Sequence, residues 1–241
     1  MKTIIVTGDT GGLGRQIVQT LLKEGNYRVV GISRKENEAT ASFREQYPER
    51  YHHLSYDLSE LQSIRKLYLQ HLKPLGPIYG LVNNSAMAYD DIVTNINTDA
   101  LQQMFQVNVF APMLLTKYAI RDMLFHGTKG SIVHISSVSA HTGYKGLSMY
   151  ASTKGALEAF SKGTAREWGS LGIRSNCVSP GFMETAMSES LSQEQKNKIY
   201  GRTSLKEETD PESVANTVAF LLSEDARSIT GTVIHVDNGT I

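Results

Sequence analysis

Tyr150 and Lys154 stand four residues apart in Met149-Tyr-Ala-Ser-Thr-Lys-Gly-Ala-Leu157, a segment of small and apolar residues that can form helix, so both side chains leave the same face. A phenol ordinarily loses its proton near pH 10. An ammonium one turn away favours the phenolate, so Lys154 is expected to bring the Tyr150 proton within working range of neutral pH, as a general acid or base requires. Ser137 follows the strand-like run Ser131-Ile-Val-His-Ile-Ser136 and can donate a hydrogen bond to a substrate carbonyl oxygen while Tyr150 delivers the proton. The set reads as carbonyl–alcohol chemistry. Of the 11 tyrosines only Tyr150 has a lysine four residues on, but an ordinary amphipathic helix would also show one such pair. The elements around the three residues decide between the two.

Those elements begin with Ile4 to Thr7, an unbroken β-branched run typical of a strand buried on both faces, followed at once by Gly8-Asp-Thr-Gly-Gly-Leu-Gly14. Ile17, Leu21 and Leu22 then recur at helical spacing until Gly25. A glycine turn can be an ordinary connection, but between strand and helix at the N-terminus it points to a nucleotide site, because backbone N–H groups at a helix N-terminus can approach a pyrophosphate when no side chain intervenes. The spacing is Gly-x-x-x-Gly-x-Gly through Gly8, Gly12 and Gly14. A second strand, Tyr27 to Ile32, leads into Ser33, Arg34 and Lys35, with no acid before Glu36. A cation at this strand end suits the 2′-phosphate of NADP, whereas a carboxylate suits the free ribose hydroxyls of NAD, so NADP(H) is expected.

The middle of the chain repeats the alternation. Glu38 to Tyr47 is helix-like, Tyr51 to Tyr56 strand-like, and Asp57 precedes Ser59, which can cap a helix running to His71. Asp57 can accept from an adenine amino group or serve as a turn residue. After the strand Ile78 to Val82, the amides of Asn83 and Asn84 can brace the glycine turn and the cofactor, and Asn108 sits inside a long helical pattern, where it can hold a water or kink the helix. Such alternation specifies one doubly wound, Rossmann-type α/β domain over residues 1–241, a parallel sheet of about seven strands with helices on both faces. The glycine turn, Ser33, Asp57, Asn83 and Ser137 each follow a strand and should collect on the carboxyl rim, where such sheets bind ligands.

Composition narrows the class. The 241 residues suffice for one such domain. With 24 basic and 24 acidic residues there is no global field to attract nucleic acid or an acidic membrane. A lone Cys177 excludes an intramolecular disulfide, and His126, His134, His141 and His235 lack ligand spacing, so no metal is expected. No apolar run reaches bilayer-spanning length, and the apolar stretch near the start is too short for a signal-peptide core; the expectation is a soluble, cytoplasmic protein.

Over essentially its whole length the chain resembles the classical short-chain dehydrogenase/reductases, through Thr7-Gly-x-x-x-Gly-x-Gly14, Asp57, Asn83-Asn84, Asn108, Ser137, Tyr150-x-x-x-Lys154 and Pro180-Gly181. Within them it is most similar to 3-oxoacyl-acyl-carrier-protein reductases, in Ser179-Pro-Gly-Phe-Met-Glu-Thr-Ala-Met187 and in Ser228-Ile-Thr-Gly-Thr-Val-Ile-His-Val-Asp237. The resemblance implies Tyr150 as proton donor, Ser137 as the group polarising the ketone, Lys154 on the nicotinamide ribose, and Asn108 holding a water that links Lys154 to solvent. It further implies contacts to NADP(H) from Gly8, Thr10, Gly12, Leu13, Gly14, Ser33, Arg34, Asp57, Leu58, Asn84, Pro180, Gly181, Met183 and Thr185. It implies a cofactor half of about 1–135, a catalytic and substrate half of about 136–241 with a mobile lid at about 182–205, and a homotetramer.

Three departures from the family pattern stand out. Ala86 replaces a glycine, Asp237-Asn-Gly stands where two glycines are common, and Thr128 and Leu171 occupy the places of the arginines that grip an acyl carrier protein, with Lys129 and Arg174 adjacent as substitutes. Tyr144, Leu147, Met183 and Met187 can line a pocket for a flexible apolar chain or simply pack the lid. The expected activity is NADPH-dependent reduction of a 3-oxoacyl thioester, with an acyl carrier protein as candidate partner. The alternatives are NAD(P)-dependent oxidation of a sugar, polyol or secondary alcohol, and a nucleotide-binding regulatory protein without turnover.

Overall fold

The structure, a computed structural model, describes residues 1–184 and 192–241. Seven parallel strands form one sheet in the order β3-β2-β1-β4-β5-β6-β7. They are β1 (Lys2–Thr7), β2 (Tyr27–Ser33), β3 (Tyr51–Ser55), β4 (Ile78–Asn83), β5 (Ser131–Ile135), β6 (Arg174–Pro180) and β7 (Val233–Val236). Ile4, Ile5 and Val6 of the central β1 are all at most 2% exposed, which is why consecutive apolar residues replace the alternation of a one-sided sheet.

Two apolar cores flank the sheet. On one face Ile4, Val6 and Val29 meet α1 (Gly12–Lys23), α2 (Glu38–Gln46) through Phe43, and α8 (Pro211–Leu222). On the other, Ile5, Val30, Ile32 and Leu81 meet α3 (Ile64–Leu67) and α5 (Ala111–His126), with Trp168 at the end of α6 (Ser148–Trp168) packed alongside. The chain winds outward in opposite directions from β1 and β4, so their carboxyl ends open the crevice where this topology binds ligands.

Three expectations change in detail. The helix from Ser59 to His71 is instead a series of short turns, with a 3₁₀ turn at Leu61–Ser63, the single helical turn α3, a wide π turn at Tyr68–Leu72 and a further 3₁₀ turn at Lys73–Leu75. Ser59 does not cap it; its N–H and hydroxyl donate to Asp57 Oδ1, at 2.9 and 2.8 Å, and close a turn before the first helical turn starts at Leu61. The long helix containing Asn108 divides into α4 (Thr98–Phe105), a π turn at Gln106–Phe110 and α5, so Asn108 lies at a distortion, the kinking alternative of the sequence reading. After the undescribed stretch, α7 (Gln193–Tyr200) starts at a capping box made by Ser192 and Gln195.

Candidate active site

The first turn of α1 is built by exclusion of side chains. Gly8 takes φ +74°, a left-handed conformation that favours glycine, and a Cβ on Gly14 would lie 1.9 Å from Gly8 O, inside any permissible contact. Asn84 fastens the turn from β4, its Nδ2 donating to Thr7 O at 2.9 Å and Gly8 O at 3.3 Å, while Thr7 Oγ1 accepts from the N–H groups of Asn84 and Ser85. The helix end itself is left open. Gly11 offers no capping side chain and the first turn holds no acid, whereas Asn37, Asn97, Ser192 and Asp210 cap α2, α4, α7 and α8. Unclaimed N–H groups, a dipole and a surface without side chains fit the pyrophosphate of a dinucleotide.

At the adenosine side, Ser33 ends β2 and Arg34 and Lys35 are exposed. The next acid, Glu36, is engaged by Arg44 at 2.6 Å. Arg34 also helps to hold the Asp57 carboxyl below its ordinary range, after the larger effect of the hydrogen bonds from Ser59. Thr10 O accepts from Asn37 Nδ2 at 3.1 Å. Leu13 and Leu58 are buried, one in each core, so only their backbones remain for a ligand.

Sequence reasoning passed over Asp9. Its carboxylate is fully buried inside the glycine turn, accepts from Tyr51 Oη at 2.6 Å and lies 2.7 Å from His53 Nδ1. A Cβ on Gly31 would sit 1.9 Å from Asp9 Oδ2, so Gly31 in the middle of β2 is required by this close approach. An isolated glycine inside a strand pattern was the available signal. Asn83 also behaves differently from the bracing role expected of it. As the last residue of β4 it is 2% exposed, and its Nδ2 reaches Thr116 Oγ1 and His134 Nδ1 within the sheet, leaving the bracing to Asn84.

The catalytic candidates come from the turn after β5, which carries Ser137, and from α6, whose Lys154 reaches Ile135 at the end of β5. Ser137 starts a 3₁₀ turn, and its Oγ accepts from Ser139 N at 3.2 Å, which leaves the hydroxyl hydrogen free to donate. Tyr150 and Lys154 lie on one face of α6, with Lys154 Nζ 5.4 Å from the Tyr150 ring centroid. Nζ donates to Ile135 O at 2.8 Å, and burial lowers the ammonium pKa to about 8. The expected lowering of the Tyr150 pKa is not what this geometry produces. Burial, with a smaller contribution from the Asp90 carboxylate, pushes the phenol up to about 12, and Lys154 is committed to a backbone carbonyl. Tyr150 therefore holds its proton at neutral pH, the state a proton donor needs. Buried His134 beside Lys154 is pushed down to about 3 by burial and by that ammonium, and stays neutral.

Asn108 is 1% exposed, and its amide grips the backbone of Met87, accepting from N and donating to O, both at 2.9 Å. The same Nδ2 donates to Thr153 Oγ1 at 3.1 Å, and Thr153 Oγ1 donates to Tyr150 O. One Oδ1 lone pair remains for a further bond. Another buried group is Glu158, one turn beyond Lys154, whose Oε1 accepts from Ser136 Oγ and lies 2.9 Å from His141 Nε2. Its position four residues after Lys154 was the unused signal.

Pro180 ends β6, and Gly181 packs so tightly that a Cβ would lie 2.4 Å from Thr209 Oγ1 and 2.8 Å from Asp237 Cα. Met183 packs against the core. Thr185, Met187 and Leu191, expected in the lid, lie outside the described residues. In the closing turn Asn238 adopts φ +56°, so asparagine takes the left-handed conformation for which a glycine is common. Of the substitute carrier-binding cations, Arg174 is committed elsewhere, donating to Leu221 O and Ser223 O at the end of α8. Among the described residues no group of three or more His, Cys, Asp or Glu is placed to hold a metal, and no helix is long and apolar enough to cross a membrane.

A family model described as enoyl-(acyl carrier protein) reductase matches residues 8–240. The 3-oxoacyl-[acyl-carrier-protein] reductase FabG of Aquifex aeolicus is 35% identical over 99% of this chain and 96% of its own, and the L-xylulose reductase of Caenorhabditis elegans is 31% identical over 99% and 95%. Among solved structures, 4-hydroxyisoleucine dehydrogenase complexed with NADH superposes with a TM-score of 0.92 at 25% identity, covering 100% of this chain and 98% of that one. ElxO with NADP bound gives 0.88 at 27%, covering 99% and 98%.

Proposed function

From the premise that the chain belongs to the short-chain dehydrogenase/reductase family, we propose that it is an NADPH-dependent ketoreductase whose substrate is a 3-oxoacyl thioester. The observation that carries this reading is that the buried Lys154 ammonium bonds Ile135 O, two residues before the free hydroxyl of Ser137, and lies one helical turn from the protonated, half-buried phenol of Tyr150. The cofactor supplies hydride to the carbonyl carbon. Ser137 donates a hydrogen bond to the carbonyl oxygen and Tyr150 gives it the proton. Lys154 binds the nicotinamide ribose, and its charge steadies the phenolate left behind. Asn108 holds the Met87 backbone and, through Thr153, the first turn of α6, and its remaining lone pair takes the water of a proton path to Lys154.

The glycine turn with Thr10, Leu13, Asp57, Leu58 and Asn84 would hold the adenosine and pyrophosphate, and Pro180, Gly181 and Met183 the nicotinamide. Arg34 selects the 2′-phosphate, the neighbouring carboxylates being engaged by other partners, Glu36 by Arg44 and Asp57 by Ser59. Residues 1–135 thus serve the cofactor, and 136–241, with a lid at 182–205, serve the substrate. Exposed Phe125, Leu171, Phe220 and Ile241 favour assembly, for which we propose a homotetramer, and the buried free thiol of Cys177 suits a cytoplasmic setting.

The test is NADPH oxidation with acetoacetyl-CoA, run beside crotonyl-CoA, L-xylulose and a set of secondary alcohols, with both cofactors. Turnover of acetoacetyl-CoA is expected, and Tyr150→Phe should lower it about 10²- to 10⁴-fold while leaving NADPH binding within about twofold. Reduction of crotonyl-CoA alone would overturn carbonyl chemistry. Preferential turnover of L-xylulose or an alcohol would favour the second reading, a sugar or polyol dehydrogenase, which the engagement of Arg174 on α8 supports.

A further inference from the structure

Ser137 must sit at a fixed distance from Tyr150, yet the two come from different elements, a turn after β5 and the first turn of α6. Within its own turn Ser137 has only local restraints, the bonds from Ser139 N to its Oγ and from Ala140 N to its carbonyl. Ser139 Oγ in the same turn is buried without a hydrogen-bond partner, so that hydroxyl adds nothing to the restraint. The attachment to α6 comes from three points. Lys154 Nζ holds Ile135 O, and Glu158 Oε1 receives the Ser136 hydroxyl before Ser137 and faces His141 Nε2 after it, at 2.9 Å. Lys154 and Glu158 are one helical turn apart and on the same face as Tyr150. The Glu158 side chain is 9% exposed and that of His141 26%, so these bonds are little screened by solvent. The His141 ring in turn meets that of His235 on β7 edge-on, at 4.6 Å.

We propose that Glu158 is a positioning residue, a single carboxylate oxygen that clamps both flanks of the Ser137 turn to the helix carrying Tyr150 and so sets the gap between the two hydroxyls. The carboxylate oxygen accepts from the Ser136 hydroxyl and faces Nε2 of His141, and the clamp requires acceptance by oxygen more than it requires charge. The inference rests on Ser137 and Tyr150 acting together on a ketone, as proposed above.

The test compares Glu158→Ala with Glu158→Gln, which keeps an acceptor oxygen at the same reach. Two quantities are read, kcat and KM with acetoacetyl-CoA and NADPH, and amide hydrogen exchange over residues 136–141. Glu158→Ala should lower kcat by roughly tenfold or more, since small misplacements of reacting groups are costly, and should raise exchange in 136–141. The KM for NADPH should stay within about twofold, and Glu158→Gln should recover most of kcat and of the protection. Equal losses in both variants, or a loss confined to the NADPH KM, would overturn the clamp. Should Glu158→Ala fail to fold, Ser136→Ala and His141→Phe each remove one donor; unchanged kcat and exchange in both would overturn it equally. If the wild-type protein reduces no ketone, the functional reading fails by itself, while the exchange measurement still decides whether Glu158 holds the turn.

Discussion

The glycine turn and the catalytic rim lie on the same edge of the sheet but are specified by opposite means. At the turn, function depends on atoms that are missing. Gly8 needs φ +74°, Gly14 has no room for a Cβ against Gly8 O, and Gly31 has none against Asp9. At the rim, the proposed chemistry depends on charge that is present and dry, with the Lys154 ammonium 2% exposed. The first region is therefore specified mainly by shape, around the one buried carboxylate of Asp9. The second is electrostatic, and its energies follow the protonation of buried groups.

Gly14→Ala is the strongest challenge to that division. The added Cβ would lie 1.9 Å from Gly8 O and 2.7 Å from Asn84 Nδ2, and the first neighbour is backbone that can yield only by opening the turn. A loss of roughly 3 kcal/mol or more is expected, together with most cofactor affinity. If the turn is purely steric, denaturant titrations at pH 6 and pH 9 should give the same loss. A marked difference between the two would show that the buried Asp9–His53 pair, not shape, governs this region.

The same contrast explains what could be read from the chain. Glycine spacing exposes a steric requirement directly, because an absent side chain is visible as a letter; the order strand, turn, helix and the sheet that follows were legible for that reason. Tyr150, Lys154 and Ser137 were legible as residue types at suitable spacing. The direction of the Tyr150 pKa was not, because the helix places Lys154 near the phenol while burial and the acceptor Ile135 O, which belong to the tertiary structure, decide the balance. Asp9 and Glu158 were missed on similar grounds. Their partners Tyr51, His53, Ser136 and His141 stand 17 to 44 residues away in sequence and become neighbours only when the sheet forms. Ser59 was misassigned because Asp57, two residues earlier, accepts from its N–H and hydroxyl and closes a turn before the helix starts.

Lys154→Met sharpens the electrostatic half of the comparison. The folded-state pKa of Lys154, about 8, lies below the ordinary lysine value of 10.5, so the unfolded chain binds the proton more tightly. The resulting penalty on folding is fully present below pH 8 and fades as pH rises towards 10.5. It amounts to roughly 3 kcal/mol at most. Lys154→Met should therefore abolish most turnover yet be more stable than the parent at pH 7, with the advantage shrinking between pH 8 and 10.5. Parallel unfolding curves for the two proteins across that window would show that the ammonium is not desolvated as the structure has it.

Arg34→Ala gives the smallest effect and asks whether the cofactor side is steric throughout. Arg34 is exposed, so its attraction for a 2′-phosphate is screened and should be worth roughly 1 kcal/mol, about a fivefold loss of preference for NADPH over NADH. The effect should fall with added salt, unlike that of Gly14→Ala, since only a charge on the surface is sensitive to ionic strength. NADH affinity should barely change, because in the proposed site the backbone of the turn, not Arg34, would hold the pyrophosphate. A drop in affinity for both cofactors would mean that Arg34 supports the turn itself, and an unaltered ratio would remove it from the phosphate site. In either case selection between the two dinucleotides would have to come from shape, and the division between a steric cradle and an electrostatic rim would extend to the adenosine end.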